Sequence, residues 1–563
     1  MRIFIFVFLF LLKSIVFAQN KTTSTREIKI TKRYLNIPVE SSLDRQNMII
    51  SSKENLDRKF VIRLADEKED YWVSSDMNAF LNKKITIRFP ENRKGLSKIY
   101  QSDEMAGAKN HYKEAYRPQF HYTTKIGWTN DLNGLVYYDG EYHMFYQHNP
   151  YEIRWENMHW AHAVSTDLIH WEEIDEALFP DQLGTMFSGS AVVDYKNTSG
   201  FKKGKEDVLV AIYTAHIRED GKGEGDDIQT QCLAYSNDKG RSWEKYEGNP
   251  VINSRERVGS SHTRDPKVFW HSDTNKWVMV LFEKLGISFY TSDNLKDWNY
   301  ESHTEGFWEC PELFELAIDG DLNNKKWVLY GVSGTYMIGS FDGKKFTPES
   351  GKHRYLSGNT LSAQTFNNIP KPDGRRIQMA WGRLYHDEKA AFSQMMTFPT
   401  ELTLKKTEDG VRMFSYPIKE IEQLYKKSHQ WDNLSYKEAN DKFTACSGDR
   451  FHVKMNVEFK EGKNYRLNYN GNTILDYNFS ENKLNGNFFD SDSNTIMMEF
   501  DLLIDKTSVE IFVDKGRFTH FAKLPKAKDQ SGFQFSMPDW MELKIHKLEI
   551  HELNSIWTKK IPN

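Results

Sequence analysis

The sequence predicts an all-β protein, with a small β module in front, a propeller of short strands in the middle and a β-sandwich at the C-terminal end. Three observations predict it. Polar and apolar residues alternate with period two through the first hundred residues and again after about residue 433. Between those regions the strands are short and closely spaced, and few segments carry a helical period. A loose unit, made of a strand, a turn built on Asp and then an aromatic residue, also repeats along the middle of the chain. At 563 residues the chain is too long for one compact core, so two or three domains are expected.

The N-terminus comes first. Met1-Arg2 is a short basic start, Ile3 to Leu12 is an apolar run, and Val16-Phe17-Ala18 ends in a small residue before Gln19. Although Lys13 interrupts it, this pattern predicts a secretory leader over residues 1–18. The apolar stretch is too short to span a bilayer, so the mature chain is expected to be exported, periplasmic or secreted, with no membrane span. The three cysteines, Cys232, Cys310 and Cys446, are far apart and odd in number. They offer neither a disulfide framework nor metal-ligand spacing. A net charge of -4 gives no basic surface for nucleic acid. Aromatic residues make up 14% of the chain, which suits either an all-β core or a cleft in which rings stack on sugar faces.

The N-terminal β module is placed at 26–100. Its signals are the alternating segments at 26–39, 58–64 and 84–89. From Glu91 to Tyr116 a polar, charged stretch reads as a linker. The propeller is placed at 115–410. Its repeat runs Ser165-Thr-Asp167 with Trp171, Ser236-Asn-Asp238 with Trp243, Thr291-Ser-Asp293 with Trp298, and Ser340-Phe-Asp342 with Phe346. The aromatics lie 72, 55 and 48 residues apart, a spacing that suits blades of four strands. A plain sandwich of hairpins would carry the same loose repeat. Apolar residues at helical spacing after Tyr416 predict a connecting helix at 411–430, and strand-rich sequence with Gly and Asn turns predicts the sandwich at 431–563.

Three carboxylates stand out inside short motifs: Asp131 in Trp128-Thr-Asn-Asp-Leu-Asn-Gly134, Asp265 in Arg264-Asp-Pro266, and Glu309 in Glu309-Cys-Pro311. Two of them have a bland reading, an Asx turn for the first and a surface salt bridge for the second. Together, within about 180 residues of aromatic-rich β sequence, they point to glycoside cleavage. That chemistry needs one carboxylate to attack or stabilise a sugar cation and another that carries a proton to the leaving group. His159, His162 and His170 cluster in sequence, but such residues more often satisfy strand hydrogen bonds than bind metal, so no metal is expected.

With Phe145-Tyr-Gln-His-Asn-Pro150, Phe187-Ser-Gly-Ser190, Gly374 to Gly382, Phe392 to Leu404 and Ser508 to Val513, these motifs occur in a single order along the chain. In that order the chain resembles glycoside hydrolase family 32, the β-fructosidases (levanases, inulinases and invertases), from about Pro118 to Phe512. The resemblance implies a five-bladed β-propeller joined to a β-sandwich, an exported fructanase type with an extra N-terminal module, and no cofactor. It implies Asp131 as nucleophile, Asp265 as transition-state stabiliser and Glu309 as acid/base. It also implies Asn130, Gln147, Trp155, Phe187, Ser188, Arg264 and Trp381 as substrate-binding residues, and Cys310 as a neighbour that tunes the acid. Arg264 is expected beside the carboxylates of Asp131 and Asp265. Glu312 competes with Glu309 for the acid role but lies outside the motif position. The implied reaction is retaining hydrolysis, with the Asp131 and Glu309 carboxyls about 5–5.5 Å apart.

The chain departs from the family pattern at Leu132, where relatives carry Pro, and at Leu361, where they often carry Tyr. The implied partner is a fructan, levan first and inulin second, with sucrose possible. A non-catalytic fructan-binding protein and a related propeller glycosidase acting on arabinan or xylan are the alternatives.

Overall fold

The computed structural model describes residues 23–54, 57–218, 227–371, 373–384, 390–446, 448–461, 464–478, 480–488, 497–537 and 542–558. The leader expected at 1–18 lies outside them. The chain divides into two compact units, residues 1–106 and 107–563.

The first unit is a small two-sheet module. One sheet runs in the order Ser24–Lys29, Lys84–Phe89, Gln46–Ser52, Asp57–Ile62; the other runs Tyr71–Asp76, Tyr34–Val39, Tyr100–Ser102. Period-two alternation does the sorting, since Leu35, Ile37, Met48, Ile50, Phe60, Ile62, Val73, Ile85 and Ile87 are all buried. The expected linker from Glu91 is partly structure. Gly95–Lys98 is a short helix, and Tyr100–Ser102 pairs with Tyr34–Asn36 as the edge strand of the second sheet.

The second unit begins with five blades, each of four antiparallel strands. Blade I is Gly127–Tyr138, Glu141–Asn149, His159–Ser165 and Glu172–Glu173. Blade II is Thr185–Asp194, Val208–Ile217, Ile228–Ser236 and Glu244–Lys245; blade III is Thr263–His271, Lys276–Glu283, Gly286–Ser292 and Asn299–Glu305. Blade IV is Glu312–Ile318, Asp321–Tyr330, Thr335–Phe341 and Phe346–Pro348. Blade V is Thr360–Thr365, Arg376–Gly382, Thr400–Thr407 and Gly410–Pro417. Phe392–Ser393, from the last blade's excursion, pairs in parallel with Gly127-Trp128 of the first. Apolar clusters fill the space between blades; Val136, Phe145, Trp160, Leu209, Tyr213 and Cys232 join blade I to blade II.

The loose sequence repeat is the turn between the third and fourth strands of a blade. Asp167 accepts hydrogen bonds from Ser165 and from the backbone of Ile169 and His170, Leu168 is left-handed (φ 65°), and Trp171 donates to the Leu168 carbonyl. Asp238, left-handed Lys239 and Trp243 repeat this arrangement. In blade III the acceptor is Asn294, one position beyond the expected Asp293, followed by left-handed Leu295 and by Trp298. Asp293 instead pairs with Lys276. Asn and Asp accept the same turn bonds, so the one-residue slip is invisible in a pattern written for Asp.

The expected helix at 411–430 is corrected. Gly410–Pro417 is the outer strand of blade V, Lys419–Leu424 is a 3₁₀ turn, and Tyr425–Ser435 is an edge strand of the sandwich. Ile418, Ile421 and Leu424 are buried, so the helical spacing was real. A single tight turn satisfies it, however, because tertiary pairing claims the residues on either side. The sandwich packs a seven-stranded sheet against a five-stranded one around Val453, Leu467, Leu502, Ile511 and Ile545. A helix at Tyr436–Phe443, opened by a Ser435/Glu438 capping box, lies against it. Sandwich and propeller share strand pairing, since Leu356–Gly358 runs parallel to Thr519–Phe521.

Candidate active site

The first strand of each blade is its innermost. In four of the five blades that strand carries a bulge, at 129–132, 186–189, 264–267 and 361–364. A bulge puts two residues opposite one, breaks the ladder and re-aims a side chain. The residues inside these four irregularities include Asn130 and Asp131, Phe187 and Ser188, Asp265, and Ser362. In blade IV the innermost strand is irregular only at its far end, between Ala317 and Ile318. There Glu309 and Cys310 stand just before the first strand, and both are left-handed (φ 44° and 42°). Asp265 (φ 64°) and Ser362 (φ 53°) are left-handed too. Four non-glycine residues in that sparsely populated region, gathered at one place, cost on the order of 1–3 kcal/mol each and persist only where the surroundings over-determine them. Glycine is required once here. A Cβ on Gly189 would sit 2.0 Å from the Ile212 carbonyl oxygen, so the strand after Ser188 can approach its neighbour only without a side chain.

These residues line a cavity of about 390 Å³, within the range of small-ligand sites. Asn130, Asp131, Gln147, Trp155, Phe187, Ser188, Arg264, Asp265, Glu309 and Trp381 all face it. Cys310 is not among the lining residues but touches two that are, Asp131 and Asp265. A larger space of about 1030 Å³ lies where Tyr116 meets the sandwich residues Tyr469, Lys506 and Lys523. None of the three motif carboxylates lines it, so size does not identify the reactive site.

Asp131 Oδ2 accepts from Ser188 Oγ at 2.7 Å. Asp265 Oδ2 accepts from the Cys310 backbone N–H at 3.0 Å, and the Asp265 N–H donates to Thr214 Oγ1 at 3.0 Å. Burial pushes both acids up. Asp265 rises to about 7 despite the Arg264 guanidinium, with Glu309 and Asp131 adding to the rise. Asp131 is raised by burial against hydrogen bonds from Ser362 and Ser188 that pull it down. The Cys310 thiol reaches both, at 3.6 Å from Asp265 and 3.8 Å from Asp131. Burial and the surrounding carboxylates push it far above the ordinary thiol range. It is therefore a neutral donor, and it addresses Asp131 and Asp265 rather than the acid it was expected to tune.

Arg264 reaches two of the carboxylates. Its guanidinium is bonded to Glu309 through Nη2, while its nearest approach to Asp265 is 4.0 Å. Nη1 donates to Gln229 Oε1 at 3.3 Å and meets His262 Nδ1 at 3.0 Å. Glu312 is removed from competition. It is fully buried, accepts from Thr365 Oγ1 at 2.7 Å and pairs with Lys267 at 2.8 Å, inside the protein and away from the cavity.

The aromatic lining is arranged in two groups. Trp155, 37% exposed, meets Phe187 edge-on at 6.0 Å. Trp381 meets Trp128 edge-on at 5.9 Å and donates to Gln394. Trp128 in turn donates to Asn130 Oδ1 at 2.8 Å, fixing which way that amide faces. Of the two departures, Leu132 is fully buried in the core shared by blade I and the sandwich, where it packs as an apolar residue. Leu361 lines the cavity beside Ser362. The three histidines considered for metal each have a separate partner: His159 the Asn157 carbonyl, His162 His143, and His170 Asp167. Among the described residues no group of three His, Cys, Asp or Glu side chains is placed to hold a metal ion.

Sequence reading missed His216, Arg218, Asp227, Gln229, His262, Val332 and Ser362 on the cavity wall. Most sit at strand ends with no motif around them. Only Ser362 had a signal, as the neighbour of a position already singled out.

Comparison with known proteins agrees with the geometry. The family model described as the glycosyl hydrolases family 32 N-terminal domain matches residues 121–417, and one described as a domain of unknown function matches 20–119. The levanase of Bacillus subtilis is 38% identical over 514 residues, covering 82% of this chain and 74% of the relative. An extracellular exo-inulinase of Aspergillus ficuum is 30% identical, covering 79% and 96%. The crystal structure of an exo-inulinase from Aspergillus awamori superposes with a TM-score of 0.69 at 27% identity, covering 79% of this chain and all of that one. Among the described residues no helix is long and apolar enough to cross a membrane.

Proposed function

The chain belongs to glycosyl hydrolase family 32 and is a fructan-cleaving β-fructosidase, and from that premise we propose a retaining mechanism in which Asp131 attacks the anomeric carbon, Asp265 stabilises the developing cation and Glu309 is the acid/base. The observation that supports the assignment is the gathering of Asp131, Asp265 and Glu309 on one small cavity whose other walls are aromatic and amide side chains. Glu309 donates a proton to the departing oxygen as Asp131 forms a fructosyl-enzyme. Glu309 then takes a proton from the water that releases fructose. Asn130 and Gln147 meet the fructosyl hydroxyls, Trp155 and Trp381 offer ring faces, and Ser188 keeps Asp131 oriented for attack. Asp265 hydrogen-bonds ring hydroxyls and gains as positive charge develops.

We assign levan as the favoured polymer, because the Bacillus subtilis levanase is 38% identical against 30% for the Aspergillus ficuum exo-inulinase, and inulin as the second. Export through the leader at 1–18 fits relatives described as extracellular. A time course on levan and inulin tests the reading. Release of fructose or fructo-oligosaccharides that Asp131→Asn lowers by several orders of magnitude, with the fold retained, supports it. Turnover that survives Asp131→Asn overturns the nucleophile assignment. Reaction in the presence of methanol tests retention, which requires methyl β-fructofuranoside as the first-formed glycoside.

A further inference from the structure

We propose that His216 and Gln229, with Asp227 orienting the histidine, form the site that recognises the sugar on the departing side of the scissile bond; this rests on the β-fructosidase reading above. Val208–Ile217 and Ile228–Ser236 are neighbouring strands of blade II, and His216 lies directly opposite Gln229 in their pairing. Both side chains line the same cavity as the three carboxylates.

Each has hydrogen-bonding capacity left over. His216 Nε2 meets Asp227 Oδ2 at 2.9 Å, and its ring stacks on Phe187 at 4.1 Å with planes 18° apart. Those two contacts fix the ring, and its Nδ1 has no hydrogen-bond partner among the described residues. Gln229 Oε1 accepts from the Thr263 N–H at 3.1 Å and from Arg264 Nη1 at 3.3 Å, which fixes the amide's orientation. Its Nε2 is left without a partner among the described residues. Neither free nitrogen is a buried orphan, so both are open to the cavity. The wall therefore presents one free imidazole nitrogen and one free amide donor, both held by other contacts, which is the preorganised polar pattern a hydroxylated ligand needs.

The position of this wall indicates which part of the ligand it meets. Gln229 is linked through Arg264 to Glu309, and Glu309 is the group that must protonate the departing oxygen. The sugar carrying that oxygen must then leave Glu309 along the Arg264, Gln229 and His216 wall. The fructosyl unit being transferred lies with Asn130, Gln147 and Asp131. The exposed Arg218 stands at the end of the same wall and is placed to meet a further hydroxyl. The ligand class is a fructofuranosyl unit of the polymer on the leaving side.

Two variants test this without relying on one fold. His216→Phe keeps the stack on Phe187 and removes both ring nitrogens. Gln229→Glu keeps the accepting oxygen and removes the free donor. kcat/KM is measured on a levan-derived oligosaccharide and on an aryl β-fructofuranoside, whose leaving group has no hydroxyls. Each variant is expected to lose about tenfold more on the oligosaccharide than on the aryl substrate, the value of one good hydrogen bond. An equal loss on both substrates, or no loss on either, overturns the proposal. Failure of the underlying reading is a different result, because the unmodified protein would then cleave neither substrate.

Discussion

Asp265→Asn should make the protein more stable at neutral pH while disabling it. Asp265 is 5% exposed, and burial lifts its carboxyl from 3.8 to about 7. Below pH 3.8 the folded and unfolded chains both hold the proton. Between 3.8 and about 7 only the folded chain holds it, so folding stability falls as pH rises, by about 1.4 kcal/mol per pH unit. Above about 7 both forms are ionised and the loss is complete. From pH 5 to pH 7, where the folded carboxyl is half ionised, the wild type should lose about 2 kcal/mol that an isosteric amide does not lose, because the amide has no proton to release and its oxygen still accepts from the Cys310 N–H. Unfolding entropy is about 2.1 cal/mol/K per residue, so residues 107–563 unfold with roughly 1 kcal/mol/K, and the difference corresponds to about 2 °C. Calorimetry at both pH values gives Tm for each protein. The expected result is a variant-minus-wild-type difference that grows by about 2 °C between pH 5 and pH 7, with kcat lowered about 10²–10³-fold. A difference that stays constant with pH would mean that Arg264 fully compensates the buried charge, and the argument from burial would fail.

Glu309→Gln should cut turnover of levan by about 10²–10⁴-fold but cut hydrolysis of an aryl fructoside with a good leaving group much less; equal losses would take the acid role from Glu309. Glu312→Gln should destabilise by about 3–5 kcal/mol, read as a shift in denaturant midpoint, because it leaves Lys267 buried without its carboxylate. His121 is fully buried between Asp505 and Glu510; burial alone would lower it, but hydrogen bonds to both acids and their charges hold it at about 9. Its contribution to stability should therefore be complete below about pH 6.5 and vanish as pH rises through 9, and His121→Gln should flatten that slope in pH-dependent melting. Ser435→Ala should cost about 1 kcal/mol by removing the helix cap, with no change in kcat.

What the sequence disclosed follows from which physics is local. Strand periodicity depends on residues two apart, so the N-terminal module and the sandwich were readable from Ile85-Thr-Ile87 or Val509-Glu-Ile511 alone. The blade turns were readable for the same reason, since Asp167, left-handed Leu168 and Trp171 interact within five residues. The failures came where distant partners decide. Helical spacing at 418–424 could not reveal that 410–417 would be drawn out as the last strand of a blade. Arg264 next to Asp265 in sequence suggested a pair, and the guanidinium does stand 4.0 Å from that carboxylate, but its hydrogen bond goes to Glu309, 45 residues away. His216 and Gln229 carried no signal because their meaning comes from facing each other across a ladder.

The bulges explain why motif residues were nevertheless easy to find. A regular innermost strand alternates its side chains between the two faces of its blade and points none along the axis. To bring carboxylates from blades I and III into one cavity, the ladder has to be broken at each of them. Breaking it leaves a short stretch whose residue choice is set by backbone strain as well as by chemistry. Asn-Asp, Ser-Gly and Asp-Pro are the residues that tolerate such breaks, and they surround Asp131, Ser188 and Asp265. The motif is thus in part the backbone signature of re-aiming a side chain, and Asp131 and Asp265 are the carboxylates at which the strand is interrupted. Glu312 illustrates the converse. It is a carboxylate three residues from Glu309, but it lies on the regular part of its strand, so its side chain goes into the blade packing and pairs with Lys267 instead of facing the cavity.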